Sequence, residues 1–252
     1  MSANEPIAAT APSCSVMIKT FISIACIIAI SVAGFVYKMT APRVMSPKEL
    51  VNNGAIVYQE PKTILPFELH TQDNEAFALD DLKGKWTLMF FGFSHCPDFC
   101  PTTLATLKTL VNQLDKELQQ KLQVVMVSVD PSRDTPERLK QYFDGFQFDT
   151  QDTPFIGLTG EFVTIKIMAN QFYIPVQKNM LTDEDDSRMK GSDQETLDHS
   201  EHMGADKNYT VIHGENMVLV NPEGRYHGFF KPPFSLARLK VTLRSIVATY
   251  EQ

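Results

Sequence analysis

The hydrophobic pattern divides the chain into an apolar N-terminal segment, a polar connection, and a long region of alternating strands and helices. Residues 20–37 are eighteen positions without a charge, rich in Ile, Ala, Val and Phe. This length just reaches that of a membrane-spanning helix and exceeds the usual apolar core of a signal peptide. We therefore predict a single transmembrane anchor over 20–37, after a short tail over 1–19. The alternatives are a buried core helix and a cleaved signal, with Ser31 and Ala33 as small residues before the cut.

The next segment, residues 38–61, shows no sustained hydrophobic period and contains three prolines and one glycine. This composition is typical of an extended connection between folded parts. We therefore predict a linker over 38–61 and a folded domain over 62–252.

The folded domain alternates between strand-like and helix-like patterns. Mostly apolar runs over 86–93 and 123–129 predict buried strands. Between them, leucine and valine residues from 104 to 118 recur at spacings of three and four, which predicts an amphipathic helix. The shorter patterns predict helices from Thr135-Pro136 to about 143, over 161–172 and over 235–250, and strands over 155–158, 209–213, 216–220 and 225–230.

This order of elements predicts the fold class. Strands that alternate with helices and then form a hairpin give a mixed sheet with helices on both faces. The turn sequence Asn221-Pro222-Glu223-Gly224 predicts that hairpin. Because a pair of cysteines also follows an early strand, we predict a thioredoxin-like α/β fold.

The cysteines Cys96 and Cys100 carry the clearest chemical signal. They follow the predicted strand 86–93 and open the predicted helix, where a four-residue spacing places both thiols on one face. Thiols at a helix N-terminus are also biased toward thiolate, the form that binds metals and attacks disulfides. The pair therefore indicates soft-metal binding, dithiol redox chemistry, or both.

Composition and charge narrow the possible functions. The chain has a formal net charge of −7 and no basic cluster, which argues against a nucleic-acid partner. It contains only four cysteines and is therefore not a disulfide-stapled scaffold. Residues 178–207 hold nine acids and four bases without apolar periodicity, which predicts a solvated acidic insertion. His199, His202 and Met203 within it are weak candidates for an auxiliary copper-binding arm.

The spacing Cys-x-x-x-Cys differs from the Cys-x-x-Cys of disulfide exchangers, yet it still lets both sulfurs bind one ion. Soft thiolates favour Cu(I), with Zn(II) as the main competitor. Two sulfurs leave a coordination position that a neutral imidazole would complete. The candidates for this third ligand are His70, His95, His213 and His227.

Four segments in the same order give the chain a resemblance to a known family. They are Phe91-Gly92-Phe93-Ser94-His95-Cys96-Pro97-Asp98-Phe99-Cys100-Pro101, then Val127-Ser128-Val129-Asp130-Pro131-Ser132-Arg133-Asp134-Thr135-Pro136, then Leu158-Thr159-Gly160, then His213 ahead of Asn221-Pro222-Glu223-Gly224. The chain resembles the Sco/SenC family over roughly residues 62–250. That family comprises membrane-anchored, thioredoxin-like copper proteins that help to build the dinuclear copper centre of cytochrome c oxidase.

The resemblance implies the ligands and the partners. It makes Cys96 and Cys100 the thiolate ligands and His213 the third ligand of one copper ion, Cu(I) with Cu(II) as a second valence. Asp98 and Asp134 match acids of the family pattern and are accessory candidates, although Asp98 alternatively caps its helix and Asp134 alternatively holds a loop. The implied partners are the copper-centre subunit of the oxidase and an upstream copper donor or thiol reductant. The chain departs from the family pattern at Ile212 and Gly214, which occupy positions where an acid and a hydroxyl residue are common.

Three functions remain open at this point. The first is a metallochaperone that delivers copper to the oxidase. The second is a thiol–disulfide reductase that uses Cys96 and Cys100 as a redox-active pair to keep the oxidase cysteines reduced. The third is a thiol peroxidase, for which the sequence supplies no peroxide pocket. Because no Arg-rich transit peptide precedes the apolar segment, we expect a single-pass bacterial inner-membrane protein with its domain in the periplasm.

Overall fold

The computed structural model describes residues 14–40, 44–148, 152–180 and 209–250. The chain forms two units, Met1–Arg43 and Val44–Gln252, and each is described by itself. The candidates His199, His202 and Met203, with residues 181–207 of the predicted acidic insertion, lie outside the described residues.

The first unit contains helix α1, Cys14–Thr40, which has 27 residues. Its described apolar side chains are exposed, and Phe21 and Ile30 each expose more than two thirds of their surface. Among the helices of the described ranges, none meets the combined length and apolarity of a membrane span. The transmembrane anchor over 20–37 stays a prediction.

The second unit contains ten strands and six helices within its described residues. The helices are α2 Pro47–Asn52, α3 Phe99–Gln113, α4 Lys116–Gln120, α5 Pro136–Asp144, α6 Phe162–Gln171 and α7 Leu236–Tyr250, with a 3₁₀ turn at Leu79–Leu82. The strands are β1 Ala55–Thr63, β2 Glu68–Thr71, β3 Ala76–Ala78, β4 Trp86–Gly92, β5 Leu122–Ser128, β6 Phe155–Thr159, β7 Val176–Met180, β8 Tyr209–His213, β9 Met217–Val220 and β10 Arg225–Phe230.

Eight of these strands form one mixed sheet in the order β1-β10-β9-β4-β5-β6-β2-β3. Strands β4, β5 and β6 are parallel, and the other neighbours are antiparallel. Strands β7 and β8 pair with each other in a separate two-stranded sheet. Because β4 and β5 are central and parallel, their carboxyl ends bring the cysteine segment and the loop after β5 to one edge of the sheet.

The core consists of two hydrophobic layers, one on each face of the sheet. Successive residues of β4 alternate between them, with Leu88 and Phe90 in one layer and Met89 and Phe91 in the other. Helices α3, α5 and α7 contribute to the first layer, and α6 to the second. The predicted thioredoxin-like α/β arrangement, a mixed sheet between helices, is confirmed.

The region predicted as a linker differs from the prediction. Helix α2 begins with Ser46 as its N-cap, in a capping box with Glu49, and β1 pairs with β10 as an edge strand. The linker prediction over 38–61 is therefore corrected, since the folded unit starts at Val44. The prolines are compatible with these elements, because Pro47 lies in the first helical turn and Pro61 in an edge strand, both positions that tolerate proline.

Two further boundaries differ from the prediction. The helix predicted over 104–118 is two helices, α3 and α4, with a break at Leu114 and Asp115 capping the second. The start of the predicted insertion at 178–180 belongs to β7, which pairs with β8. The predicted cap at Thr135 is confirmed, because its hydroxyl accepts a hydrogen bond from the amide of Arg138.

Candidate functional site

The two cysteines lie where β4 turns into α3, Cys96 in the connecting loop and Cys100 in the first turn of the helix. The amide of Cys96 donates to the carbonyl of Phe93 at 3.2 Å, which closes the turn. The amide of Cys100 donates to Cys96 Sγ at 3.4 Å. Both thiols are free, Cys96 is partly exposed and Cys100 is fully buried. The pair therefore combines one accessible sulfur with one enclosed sulfur.

The enclosure of Cys100 depends on Gly92 at the end of β4. A Cβ atom at position 92 would lie 2.6 Å from Cys100 Sγ, so only glycine leaves room for that sulfur. Burial raises the pKa of the Cys100 thiol, and the negative charges of Cys96 and Asp134 add to this effect. Without a bound cation, Cys100 is therefore a thiol at neutral pH.

Asp134 holds the cysteine loop in place. It is fully buried and accepts three hydrogen bonds: from the Ser94 amide at 2.9 Å, the Ser94 hydroxyl at 2.6 Å and the Ser128 hydroxyl at 2.6 Å. His95 Nδ1 lies 3.7 Å from the same carboxylate and 3.0 Å from the Ser94 hydroxyl. Asp134 thus ties the loop before Cys96 to the end of β5, as in the loop-holding alternative.

The acid between the cysteines behaves differently. Asp98 is the N-cap residue of α3, but its side chain makes no capping bond to the helix backbone. Instead, its carboxylate accepts a hydrogen bond from the Thr102 hydroxyl at 3.2 Å. Asp98 therefore occupies the N-cap position, but the predicted capping by its side chain is wrong. An accessory role of Asp98 in metal binding stays a prediction.

A second buried acid, Asp130, connects the loop after β5 to the start of β8. Asp130 pairs with Arg133 and accepts a 2.6 Å hydrogen bond from the Tyr209 hydroxyl. Burial, together with the bond to Asp130, raises the pKa of Tyr209 to about 12, so this hydroxyl remains a donor. Because His213 ends the strand that Tyr209 begins, this bond fixes the strand carrying the predicted third ligand.

The ring of His213 lies against the cysteine segment through two aromatic side chains. Its centroid is 5.8 Å from Phe93, edge-on, and 6.2 Å from Phe99. Phe93 precedes the cysteine loop, and Phe99 lies between the two cysteines in sequence. The predicted ligand therefore contacts the two phenylalanines that flank Cys96 in sequence.

The protonation of His213 suits a metal ligand. Its Nδ1 lies 3.2 Å from the Gly214 carbonyl oxygen, an acceptor only, so this nitrogen carries the proton and donates. Burial lowers the pKa of His213, so the ring is neutral at pH 7. The free lone pair is then on Nε2, which is the arrangement typical of a metal-binding imidazole.

The described residues contain no set of three His, Cys, Asp or Glu side chains that is gathered as a complete metal site. The ligand set of Cys96, Cys100 and His213 therefore stays a prediction. Of the other histidine candidates, His70 is exposed on β2, and His227 is buried in β10 against Trp86. His95 adjoins Cys96, but its ring contacts Asp134 and Arg138.

Tyr142 on α5 was not predicted from the sequence. Its hydroxyl is buried and has no hydrogen-bond partner. Burial raises the pKa of this phenol, and the negative charges of Cys100 and Cys96 add to the effect. Tyr142 packs against the same hydrophobic layer as the two cysteines. In the sequence Tyr142 is one of several apolar residues of an amphipathic helix, so no pattern could have identified it as part of the site.

Comparisons with known proteins agree with this geometry. The sequence profile described as SCO1/SenC matches residues 57–204. A protein of Stutzerimonas stutzeri, provisionally named copper-binding, is 31% identical over 208 residues, covering 80% of this chain and 88% of its own. Protein SCO2 of Saccharomyces cerevisiae mitochondria is 31% identical over 163 residues, covering 64% of this chain and 45% of its own.

A solved structure shows the same fold. The crystal structure of Arabidopsis thaliana ScoI with copper bound superimposes with a TM-score of 0.57 at 27% identity. The match covers 74% of this chain and 98% of the plant protein. The profile match extends over more than half of the chain and includes both cysteines. The chain therefore belongs to the SCO1/SenC family.

Proposed function

We propose that this protein is a copper chaperone that binds one copper ion through Cys96, Cys100 and His213 and delivers it during cytochrome c oxidase assembly. The observation that carries the proposal is the position of His213. Its neutral ring, with Nε2 free, packs on Phe93 and Phe99, the two phenylalanines that flank Cys96 in sequence. The copper named for the plant and Stutzerimonas relatives supports the choice of metal.

The donor chemistry favours copper in the Cu(I) state, with Cu(II) as a second valence. Two sulfurs and one neutral imidazole are soft or borderline ligands, and three of them suit a trigonal Cu(I) site. Because burial raises the pKa of Cys100, its thiolate is unstable without a nearby cation. A bound copper ion would supply that positive charge, and binding would release the Cys100 proton.

Delivery requires that the metal can leave. Cys96 is partly exposed and is the sulfur that an incoming ligand of a partner reaches first. His213 lies at the end of β8, which pairs with β7 and not with a strand of the main sheet. We infer that copper passes by stepwise ligand exchange to the copper-centre subunit of the oxidase, a recipient that the family resemblance supports.

The proposed location follows from the N-terminal segment. Residues 20–37 would anchor the chain in a bacterial inner membrane with Val44–Gln252 in the periplasm, where an upstream copper donor or thiol reductant would load it. Confinement to one membrane raises the effective concentration of the chaperone at a membrane-bound oxidase.

The test is a Cu(I) titration of the reduced full chain in competition with a colorimetric chelator. The wild type should bind one tight equivalent, Cys96→Ala and Cys100→Ala should lose it, and His213→Ala should weaken it at least tenfold. His70→Ala is the matched control because His70 is an exposed histidine of β2. Full affinity in Cys96→Ala or Cys100→Ala would refute the proposal.

A thiol–disulfide reductase is the second candidate, and the contrast in exposure between the thiols favours it. Cys96 as thiolate would attack a substrate disulfide, forming a mixed disulfide and releasing one substrate thiolate. Cys100 would then attack Cys96 Sγ and release the second substrate thiol. The substrate gains two electrons, and the protein is left with a Cys96–Cys100 disulfide. The raised pKa of Cys100 slows this second step at neutral pH, which ranks the reductase below the chaperone.

The two functions differ in their need for His213. A reductase would reduce a disulfide peptide at similar rates in the wild type and in His213→Ala. A chaperone would show slow peptide reduction in both, together with weaker copper binding in His213→Ala. Fast turnover that is independent of His213 would establish the reductase and displace the chaperone.

A further inference from the structure

A groove opens beside the cysteine segment, on the surface between α3, the β8–β9 connection and the β10–α7 connection. Its volume is about 480 Å³, and ordinary ligand pockets span about 300–1,000 Å³. The complete lining consists of two phenylalanines, two prolines, three threonines and two acids. One of the phenylalanines is Phe99, whose ring lies 6.0 Å from Phe234 within the groove and 6.2 Å from His213 outside it. The groove therefore borders the surroundings of the proposed copper ligand.

The apolar wall of the groove is preformed. Phe99 and Phe234 are partly buried and pack against the first core layer, where the first turn of α3 meets the β10–α7 connection. Pro232 and Pro233 complete this wall, and a proline ring loses no rotamer freedom when it is covered. The wall therefore accepts an apolar side chain at a low entropic cost.

The charged groups of the groove are both acids. Asp98 and Glu215 are exposed, and among the described residues no Lys, Arg or His forms an ion pair with either carboxylate. A carboxylate only accepts hydrogen bonds, and two carboxylates in one groove attract a cation and repel an anion. The groove therefore selects a guest with a positively charged donor, such as a Lys or Arg side chain.

The threonines of α3 leave one hydroxyl for a guest. Thr102 donates to Asp98 at 3.2 Å, and Thr106 donates to the Thr102 carbonyl at 2.8 Å. Thr103 is 2% exposed, and its hydroxyl has no hydrogen-bond partner among the described residues. Its oxygen, unlike that of Thr242, is not fully enclosed. A nearly buried hydroxyl without a partner is unfavourable until a bound group supplies the hydrogen bond, and either a backbone N–H or a backbone C=O suits it.

We propose that this groove docks an extended segment of the protein that receives copper, in which a Lys or Arg lies next to an apolar side chain. The inference rests on the proposed chaperone function, because a recipient must approach the copper ligands. The basic side chain pairs with Asp98 and Glu215, the apolar side chain packs on the phenylalanines and prolines, and the backbone bonds to Thr103. A free cation would leave the apolar wall uncovered, whereas such a segment covers both parts of the groove. Because Phe99 also contacts His213, the docked segment lies one ring away from the ligand that must release copper.

The test measures docking without copper, so its failure is distinct from a failure of the copper titration above. The probe is the reduced, copper-free copper-centre domain of the oxidase from the same organism, labelled for fluorescence anisotropy and titrated with the reduced full chain in lipid nanodiscs. At about 50 mM NaCl, Glu215→Lys should weaken docking at least about tenfold because it opposes the basic side chain, and the loss should shrink at about 500 mM NaCl. Glu68→Lys is the matched control, since Glu68 is an exposed acid of β2 outside the groove and the change in charge is the same. Its effect should stay below about twofold.

A second pair of variants tests the location without a change in charge. Thr106 lines the groove and Thr109 does not, and each hydroxyl donates to the carbonyl four residues earlier in α3. Thr106→Trp should fill the groove and weaken docking at least about tenfold, whereas Thr109→Trp should dock as the wild type does. The proposal would be overturned if the domain did not bind the wild type, if Glu215→Lys or Thr106→Trp docked normally, or if Glu68→Lys lost as much as Glu215→Lys. Self-association of the full chain that Thr106→Trp abolishes would assign the groove to a second copy and would also overturn it.

Discussion

Replacement of Asp134 by alanine should destabilise the folded unit and loosen the cysteine loop. The buried carboxylate accepts three hydrogen bonds, two from Ser94 and one from Ser128. Bonds to a charged acceptor contribute about 1.5–3 kcal/mol each, and the variant removes this acceptor from one buried donor, on Ser128, and from two partly buried donors, on Ser94. Because partial relaxation makes such losses less than additive, we expect the free energy of unfolding to fall by about 3–5 kcal/mol.

The measurement is urea denaturation of the full chain, followed by the fluorescence of Trp86. This residue is the only tryptophan of the chain and is 1% exposed, so its emission reports on the core. For a unit the size of Val44–Gln252, a loss of 1 kcal/mol lowers the melting temperature by about 2–4 °C. Asp134→Ala should therefore melt roughly 6–20 °C below the wild type.

Two matched variants test whether the lost hydrogen bonds cause the destabilisation of Asp134→Ala. Asp134→Asn keeps the shape, and its carbonyl oxygen can still accept from the Ser94 amide and the Ser128 hydroxyl, so we expect a loss of only about 1 kcal/mol. Ser128→Ala removes one of the three bonds and should also lose about 1 kcal/mol. If Asp134→Ala were no less stable than Ser128→Ala, the assignment of Asp134 as the support of the loop would be incorrect.

Three other predictions concern pH and packing. Cu(I) affinity should rise at least about tenfold per pH unit between roughly pH 6 and 8, because binding displaces at least the proton that the raised pKa of Cys100 retains. Chelator competition at several pH values measures this. Gly92→Ala should lower the free energy of unfolding by about 1–3 kcal/mol and weaken copper binding, because the alanine Cβ would lie 2.6 Å from Cys100 Sγ. Urea denaturation measures the first effect and copper titration the second. Burial lowers the pKa of His227 below its ordinary 6.5. The contribution of His227 to stability is therefore complete above about pH 6.5 and declines as the pH falls through the lowered value. In denaturation experiments between pH 8 and 5, the free energy of unfolding should decline less in His227→Phe than in the wild type.

Each of these three predictions could be contradicted by a specific result. A copper affinity that does not change with pH would mean that Cys100 is already a thiolate in the free protein. Wild-type stability and copper binding in Gly92→Ala would mean that the Cys100 sulfur moves aside at no cost. An unchanged pH dependence in His227→Phe would mean that His227 binds a proton equally well in the folded and unfolded chain.

Much of the fold could be predicted because its strongest elements carry unambiguous patterns. Strands β4 and β5 are mostly apolar and fully buried, and Thr135-Pro136 is a helix start in which a hydroxyl cap precedes a first-turn proline. Strand β1 could not be predicted in the same way. Its partner β10 is more than 160 residues away in the chain, and its own sequence is half polar because it lies at the sheet edge.

Candidate ligands could be proposed from the sequence, but the surroundings of these residues could not be predicted. The spacing of Cys96 and Cys100 is local, so a helical turn explains it directly. The contacts of His213 with Phe93 and Phe99 join residues more than 110 positions apart, and no local pattern specifies them. Tyr142 and Gly92 act through burial and close approach, which become visible only once β4, α3 and α5 are packed together.

The separate pairing of β7 with β8 sets the energetic cost of moving the histidine. Within the described strands, β8 shares no ladder with the eight-stranded sheet. A shift of this hairpin would therefore leave the backbone hydrogen bonds of the large sheet intact. What must be broken is the Tyr209–Asp130 hydrogen bond, the ring contacts of His213 and the packing of Val176 and Val211 against the second core layer. If His213 binds and releases copper as proposed, the required movement would be confined to this pair of strands, while the cysteines stay attached to the end of β4 in the large sheet.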